Sequence, residues 1–128
     1  KLADHDIDLI SLVAPTTTDE RLAGICSHAR GFIYAVSRAG VTGARESVSD
    51  AAEKLVVRAR KFTDLPIAVG FGISTAEQIS DVWRFADAAV VGSAIVAEIE
   101  KHLADAVAAV DGFVSSLLPS VAKAGGES

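Results

Sequence analysis

The sequence predicts an α/β fold built on a parallel sheet. Four apolar, β-rich runs recur along the chain, at residues 7–13, 32–37, 66–71 and 88–91. Each run is almost continuously apolar, the pattern of parallel strands covered on both faces. A stretch with helical spacing of apolar residues follows each one. The order is therefore β-α-β-α-β-α-β-α, with strand intervals suited to crossover units.

The elements follow in order. After the first run, Thr17 and Glu20 stand at capping-box spacing. Leu22, Ile25, Cys26 and Ala29 then fall on one helix face, and Gly31 is placed to end that helix. The second helix presents Ala52, Leu55, Val56 and Ala59 at the same spacing. The third opens at Ser74-Thr75-Ala76-Glu77, a second capping box, and is expected to bury Ile79, Val82, Trp83 and Ala86. A long Ala- and Val-rich helical stretch follows the fourth strand and stops near Pro119. The folded domain is expected over residues 1–119, with a frayed tail at 120–128.

Composition narrows the function. Half of the 128 residues are hydrophobic, enough for one domain with a core. The net charge is −5 with acids and bases interspersed, and no basic stripe offers itself to nucleic acid. The single cysteine, Cys26, excludes an internal disulfide and fits a reduced, cytoplasmic setting. It falls on an apolar helix face and is expected to be a packed thiol. No apolar run reaches membrane-spanning length, and no signal peptide is evident. The chain begins with Lys1 rather than Met, which suggests a cut or processed start. His5, His28 and His102 show no metal-ligand spacing, so no metal is expected. Glu98, Glu100 and Lys101 are expected on a solvated helix face.

Two architectures fit the element order. One is a small, open, doubly wound sheet. The other is half of a (β/α)8 barrel, since a whole barrel takes about 250 residues. In either, ligands bind at the carboxyl ends of the strands, so the loops that follow them carry the function. Gly70 and Gly72 flank Phe71 before a helix, and Gly92 and Ser93 stand at the start of another. Glycines let backbone N–H groups approach an anion, and a helix N-terminus adds partial positive charge. Two such loops together point to a phosphate cup without Lys or Arg. A dinucleotide fingerprint is disfavoured because Thr75 stands where its third glycine would be. The loop from Arg38 to about Ser47 carries Gly40 and Gly43 and fits either a lid or an ordinary flexible loop.

These residues also carry a resemblance. Residues 32–45, with Tyr34 and the run Ser37-Arg38-Ala39-Gly40-Val41-Thr42-Gly43, resemble the sixth strand and loop of tryptophan synthase alpha subunits. Residues 65–74 are similar to the family's seventh strand and phosphate loop, 91–96 to its eighth, and 12–17 to its fifth. The resemblance implies a (β/α)8 TIM-barrel family fold, with this chain supplying strands 5–8 as a half-barrel. It implies a lyase of tryptophan biosynthesis that cleaves indole-3-glycerol phosphate to indole and glyceraldehyde 3-phosphate by a retro-aldol reaction.

Carried over residue by residue, Gly72, Gly92 and Ser93 would hold the phosphate, and Gly43 would help to close over it. Phe71 would pack against substrate. Tyr34, at the end of its strand, would face the indole end, and Thr42 would bond a catalytic Asp on closure. Arg38 would lie near the beta-subunit contact. The resemblance implies no cofactor in this chain, with pyridoxal phosphate only in the partner beta subunit.

The family's catalytic Glu and Asp lie on N-terminal strands and loops, and no segment here matches them. Asp8, Asp64 and Asp87 fall near strand starts, at the wrong end for chemistry, and Asp19 and Glu46 fit helix starts. No catalytic residue is therefore assigned, and the chain alone is expected to be inactive. An exposed first-strand edge and apolar inner face would favour pairing with a missing N-terminal half-barrel, or self-association. Another phosphosugar-binding barrel enzyme and a non-catalytic half-barrel assembly module are the competing readings.

Overall fold

The computed structural model describes residues 2–37 and 47–118. After a short 3-10 turn at Leu2–His5, the chain alternates strand and helix. The order is β1 (Ser11–Val13), α1 (Asp19–His28), β2 (Ile33–Val36), α2 (Val48–Ala59), β3 (Ile67–Gly70), α3 (Ala76–Trp83) and β4 (Ala88–Ala89). Two further helices follow, α4 (Ser93–Lys101) and α5 (Ala106–Leu117), with a 3-10 turn at Leu103–Asp105 between them.

The four strands form one parallel sheet in the order β1-β2-β3-β4. A doubly wound sheet reverses direction at a switch point, which places non-consecutive strands side by side. This sheet has no such point. Right-handed crossovers between neighbours taken in sequence put every helix on the same face. The topology is that of a barrel wall, not of an open doubly wound sheet.

The residues of the sheet divide accordingly. Val13, Ile33, Ala35, Ile67 and Val69 are buried and belong to the core that the helices cover. Leu22 and Cys26 from α1, Leu55 and Val56 from α2, and Ile79 and Val82 from α3 complete it. The opposite face is formed by the alternate residues and is covered unevenly. Leu12 on β1 is 61% exposed, while Tyr34 and Val36 on β2 are half-buried. The expected coverage of both faces is therefore corrected: one face of β1 stands open. The strands are also shorter than the apolar runs. Ile7 and Leu9 precede β1, outside its paired register, and are exposed.

The helix expectations are met in their faces more than in their ends. All four predicted α2 residues are buried. In α1 Leu22 and Cys26 are buried, while Ile25 and Ala29 pack half-buried against the core. Cys26 is a packed thiol, and burial pushes its pKa up, away from thiolate chemistry. The predicted box at α1 is a single N-cap one residue on, and the box at α3 shifts by one residue. Thr18, not Thr17, caps α1 by accepting from the Arg21 N–H, while Thr17 Oγ1 accepts from the Ala14 N–H at 3.0 Å. Thr75 and Gln78, not Ser74 and Glu77, form the box of α3. Trp83 is half-buried against the core, and Ala86 lies beyond the end of α3.

The long C-terminal helical stretch is two helices packed on each other, broken at His102, whose backbone leaves the helical region. Glu98 is correspondingly not on a fully solvated face. It is half-buried and lies 3.7 Å from His102 Nε2.

Ion pairs stitch the helical layer to the strand starts and loops. Arg58 on α2 meets the Asp19 carboxylate at 2.9 Å and donates to the carbonyls of Pro15 and Thr17. Ser49 at the start of α2 donates to Asp81 near the end of α3, which also accepts from Arg84. The helices thus step past one another, the start of one beside the end of the next.

Candidate functional site

The carboxyl ends of β2, β3 and β4 surround a cavity of about 510 Å³. Tyr34, Phe71, Gly72, Gly92 and Ser93 line it, five of the seven binding residues expected from sequence. The other two, Thr42 and Gly43, lie outside the described residues, as do Arg38, Gly40 and Glu46. Gly70 of the expected glycine loop also lines it, and three further lining residues escape the sequence reading as ligand contacts: Val36, Ser37 and Val90. Strand register is the missing signal. Val36 pairs with Gly70 across β2 and β3, and alternation then turns both to the same side as Tyr34.

Each lining residue has a local reason for its place. Tyr34 is corrected in position: it is the second residue of β2, not its end. Its ring lies across β3 at Gly70. A Cβ added to Gly70 would meet the Tyr34 hydroxyl oxygen at 2.8 Å and Cε1 at 3.0 Å. Gly70 is therefore the gap that admits the ring. Phe71 follows, half-buried, with part of its ring against the core. Gly72 has φ +85°, a backbone conformation that disfavours side-chain-bearing residues, and the space beside it is open. The turn after β3 can thus present backbone N–H groups to the cavity.

The two glycine loops differ in one respect from the sequence expectation. Gly72 does not open a helix directly, since α3 begins only at Ala76 behind its Thr75 cap. Amides on either side of the α3 cap are already occupied. Gln78 Oε1 accepts from the N–H groups of Ser74 and Thr75, and Thr75 Oγ1 accepts from that of Gln78. At α4 the opposite holds. Gly92 is its N-cap and Ser93 its first residue, and no side chain caps it. Hydroxyls of Thr18, Ser47 and Thr75 cap α1, α2 and α3. The helix N-terminus that carries its partial positive charge to the cavity is that of α4.

The cavity lining contains no charged side chain among the described residues. It offers backbone N–H groups, the hydroxyls of Tyr34, Ser37 and Ser93, and apolar surface from Val36, Phe71 and Val90. Such a set can hold an anion beside an apolar group, and it includes no acid–base pair. The carboxylates of the described residues lie elsewhere. Asp87, just before β4, accepts from the Ile67 N–H at 2.9 Å and from Arg60 at 3.0 Å, at the amino ends of the strands. The Ile67 N–H and then Arg60 hold its pKa below the usual carboxylate value. Asp8 lies 3.4 Å from Arg30, and Asp19 pairs with Arg58. No group of three or more His, Cys, Asp or Glu side chains fit to hold a metal occurs among the described residues.

Comparison with known proteins adds the family. The family model described as "Tryptophan synthase alpha chain" matches residues 1–121. The tryptophan synthase alpha chain of Gluconacetobacter diazotrophicus is 54% identical over 101 residues, covering 79% of this chain and 37% of the relative. That of Neisseria meningitidis serogroup B is 44% identical over 121 residues, covering 94% of this chain and 46% of the relative. Among solved structures, a mutant tryptophan synthase alpha-subunit of Pyrococcus furiosus superposes with a TM-score of 0.77 at 34% identity, covering 91% of this chain and 46% of that one. Tryptophan synthase of Mycobacterium tuberculosis gives 0.76 at 38% identity, covering 91% and 42%.

The chain thus spans less than half the length of these relatives, and its four-stranded parallel sheet is the matching part of their (β/α)8 barrels. With that fold and that family match, the chain belongs to the tryptophan synthase alpha chain family.

Proposed function

We propose that this chain is the phosphate-binding half of a lyase that cleaves indole-3-glycerol phosphate to indole and glyceraldehyde 3-phosphate in tryptophan biosynthesis. The observation that carries the reading is the uncharged cavity at the carboxyl ends of β2–β4, with the uncapped start of α4 on its wall. Gly72, Gly92 and Ser93 bind the phosphate through backbone N–H groups and the Ser93 hydroxyl. The α4 N-terminus contributes roughly 0.3–1 kcal/mol toward an anion, and more where the site is partly buried. Phe71 and Tyr34 supply the apolar wall for the indole end. Thr42 and Gly43 close over the bound molecule.

The retro-aldol step breaks the bond between indole and the glycerol chain. One group takes a proton from the indole nitrogen or the hydroxyl, and another protonates the indole carbon that leaves. The cavity lining holds no carboxylate for either task among the described residues, and both are assigned to groups outside this chain. An N-terminal half-barrel supplies them and covers the open face beside Leu12. The chain itself takes no cofactor; pyridoxal phosphate belongs to the beta subunit that receives indole. The setting is cytoplasmic and reducing, in keeping with a buried, unpaired Cys26. No helix among the described residues is long and apolar enough to cross a membrane.

Indole release tests the reading. The substrate is indole-3-glycerol phosphate, and the chain is assayed alone and mixed with the N-terminal half of a relative, with beta subunit present in both. Activity in the mixture only is the expected result. Turnover by the chain alone would contradict the absence of an acid–base pair. A folded mixed assembly without turnover would favour another phosphosugar-binding barrel enzyme or a non-catalytic assembly module.

A further inference from the structure

Ser37 is the polar residue whose placement the fold alone does not account for. It follows β2 directly, is 2% exposed, and is the buried polar side chain of the core among the described residues. Its backbone N–H donates to Gly70 O at 3.0 Å, which extends the β2–β3 ladder by one bond. Its hydroxyl is buried and has no hydrogen-bond partner among the described residues. An apolar residue at this point would keep the ladder bond and avoid the unmet hydroxyl. Buried hydroxyls without partners are destabilising and uncommon in native proteins, and such a group calls for a specific reason.

The surroundings supply one. Ser37 lines the same cavity as Gly72, Gly92 and Ser93. The donors that line that cavity among the described residues are all neutral. Serine has three staggered χ1 positions, and rotation between them re-aims Oγ without moving the backbone.

We propose that Ser37 is a further binding residue for the phosphate group. Its hydroxyl is idle in the free chain and donates to a phosphate oxygen when the cavity is filled. This rests on the phosphate reading above and adds a donor from the end of β2 to those after β3 and β4.

The test is Ser37→Ala, with glycerol 3-phosphate as the probe. Affinity is measured by calorimetric titration and stability by thermal unfolding without ligand. Loss of one charge-assisted hydrogen bond is expected to weaken binding about tenfold. The Tm of the free variant is expected to stay level or rise, because the unmet hydroxyl is gone. A purely structural role predicts the reverse, a lowered Tm with little change in affinity, and that result overturns the proposal. Equal affinity of variant and wild type also overturns it while leaving the phosphate reading standing. Failure of the wild-type chain to bind glycerol 3-phosphate would overturn the phosphate reading itself, and the role of Ser37 with it.

Discussion

Gly70 and Tyr34 compete for one volume. The Tyr34 ring crosses β3 where a side chain on residue 70 would stand, with 2.8 Å between the added Cβ and the hydroxyl oxygen. Gly70→Ala therefore has to turn the ring, and the ring is a wall of the cavity. The expected result is weaker binding of glycerol 3-phosphate, roughly five- to tenfold for about 1–1.4 kcal/mol of displaced contact. Combined with Tyr34→Ala, the two changes should be non-additive, because the second removes the group that the first displaces. Additive losses in a binding titration would show that the two residues act separately.

The sequence marks both glycines of the 70–72 turn as punctuation. It does not reveal that Tyr34 lies over one of them, since that contact joins residues 36 positions apart through strand register. Ser37 is silent for the same reason. Its burial and its unmet hydroxyl are properties of the packed strand end, not of any motif.

At the scale of elements, periodicity was the legible signal and boundaries were not. The α2 stripe of Ala52, Leu55, Val56 and Ala59 is buried as its spacing demands. The caps of α1 and α3 each moved by one residue, because adjacent hydroxyl residues satisfy the same spacing rule and only loop geometry selects between them. The break at His102 left no Gly or Pro signal, so one long pattern became α4 and α5.

What joins elements is less legible still. Asp87 links three of them: it precedes β4, accepts from the first amide of β3, and pairs with Arg60 just past α2. Its pKa and that of Asp81 are lowered in the folded chain by hydrogen bonds to the ionised form. The stability they contribute is therefore complete above the unfolded Asp value of about 4 and is lost as the pH falls through their lower folded values. Asp87 is half exposed, so Asp87→Asn should cost only ~0.5–1 kcal/mol at pH 7. Urea unfolding should show that gap closing as the pH is lowered below about 4. A gap that is the same at pH 7 and pH 3 would contradict the ionic origin of the contact.

At the scale of the whole molecule, the fold class was readable because four apolar runs each precede a helical stripe. The choice between barrel wall and doubly wound sheet was not readable from that order alone. It follows from the β1-β2-β3-β4 arrangement, which sends every crossover to one face and leaves Leu12 exposed on the other. The same arrangement aligns the ends of β2, β3 and β4 around a single cavity, so lining residues separated by 59 positions, from Tyr34 to Ser93, become neighbours.

The central claim is that this cavity binds phosphate through the turn after β3 and the start of α4. Its most direct test is an amide chemical-shift titration of the chain with inorganic phosphate. Saturable shifts concentrated at Gly72, Gly92 and Ser93 are predicted. Shifts absent there, or confined to the arginines of the helical layer, would contradict it.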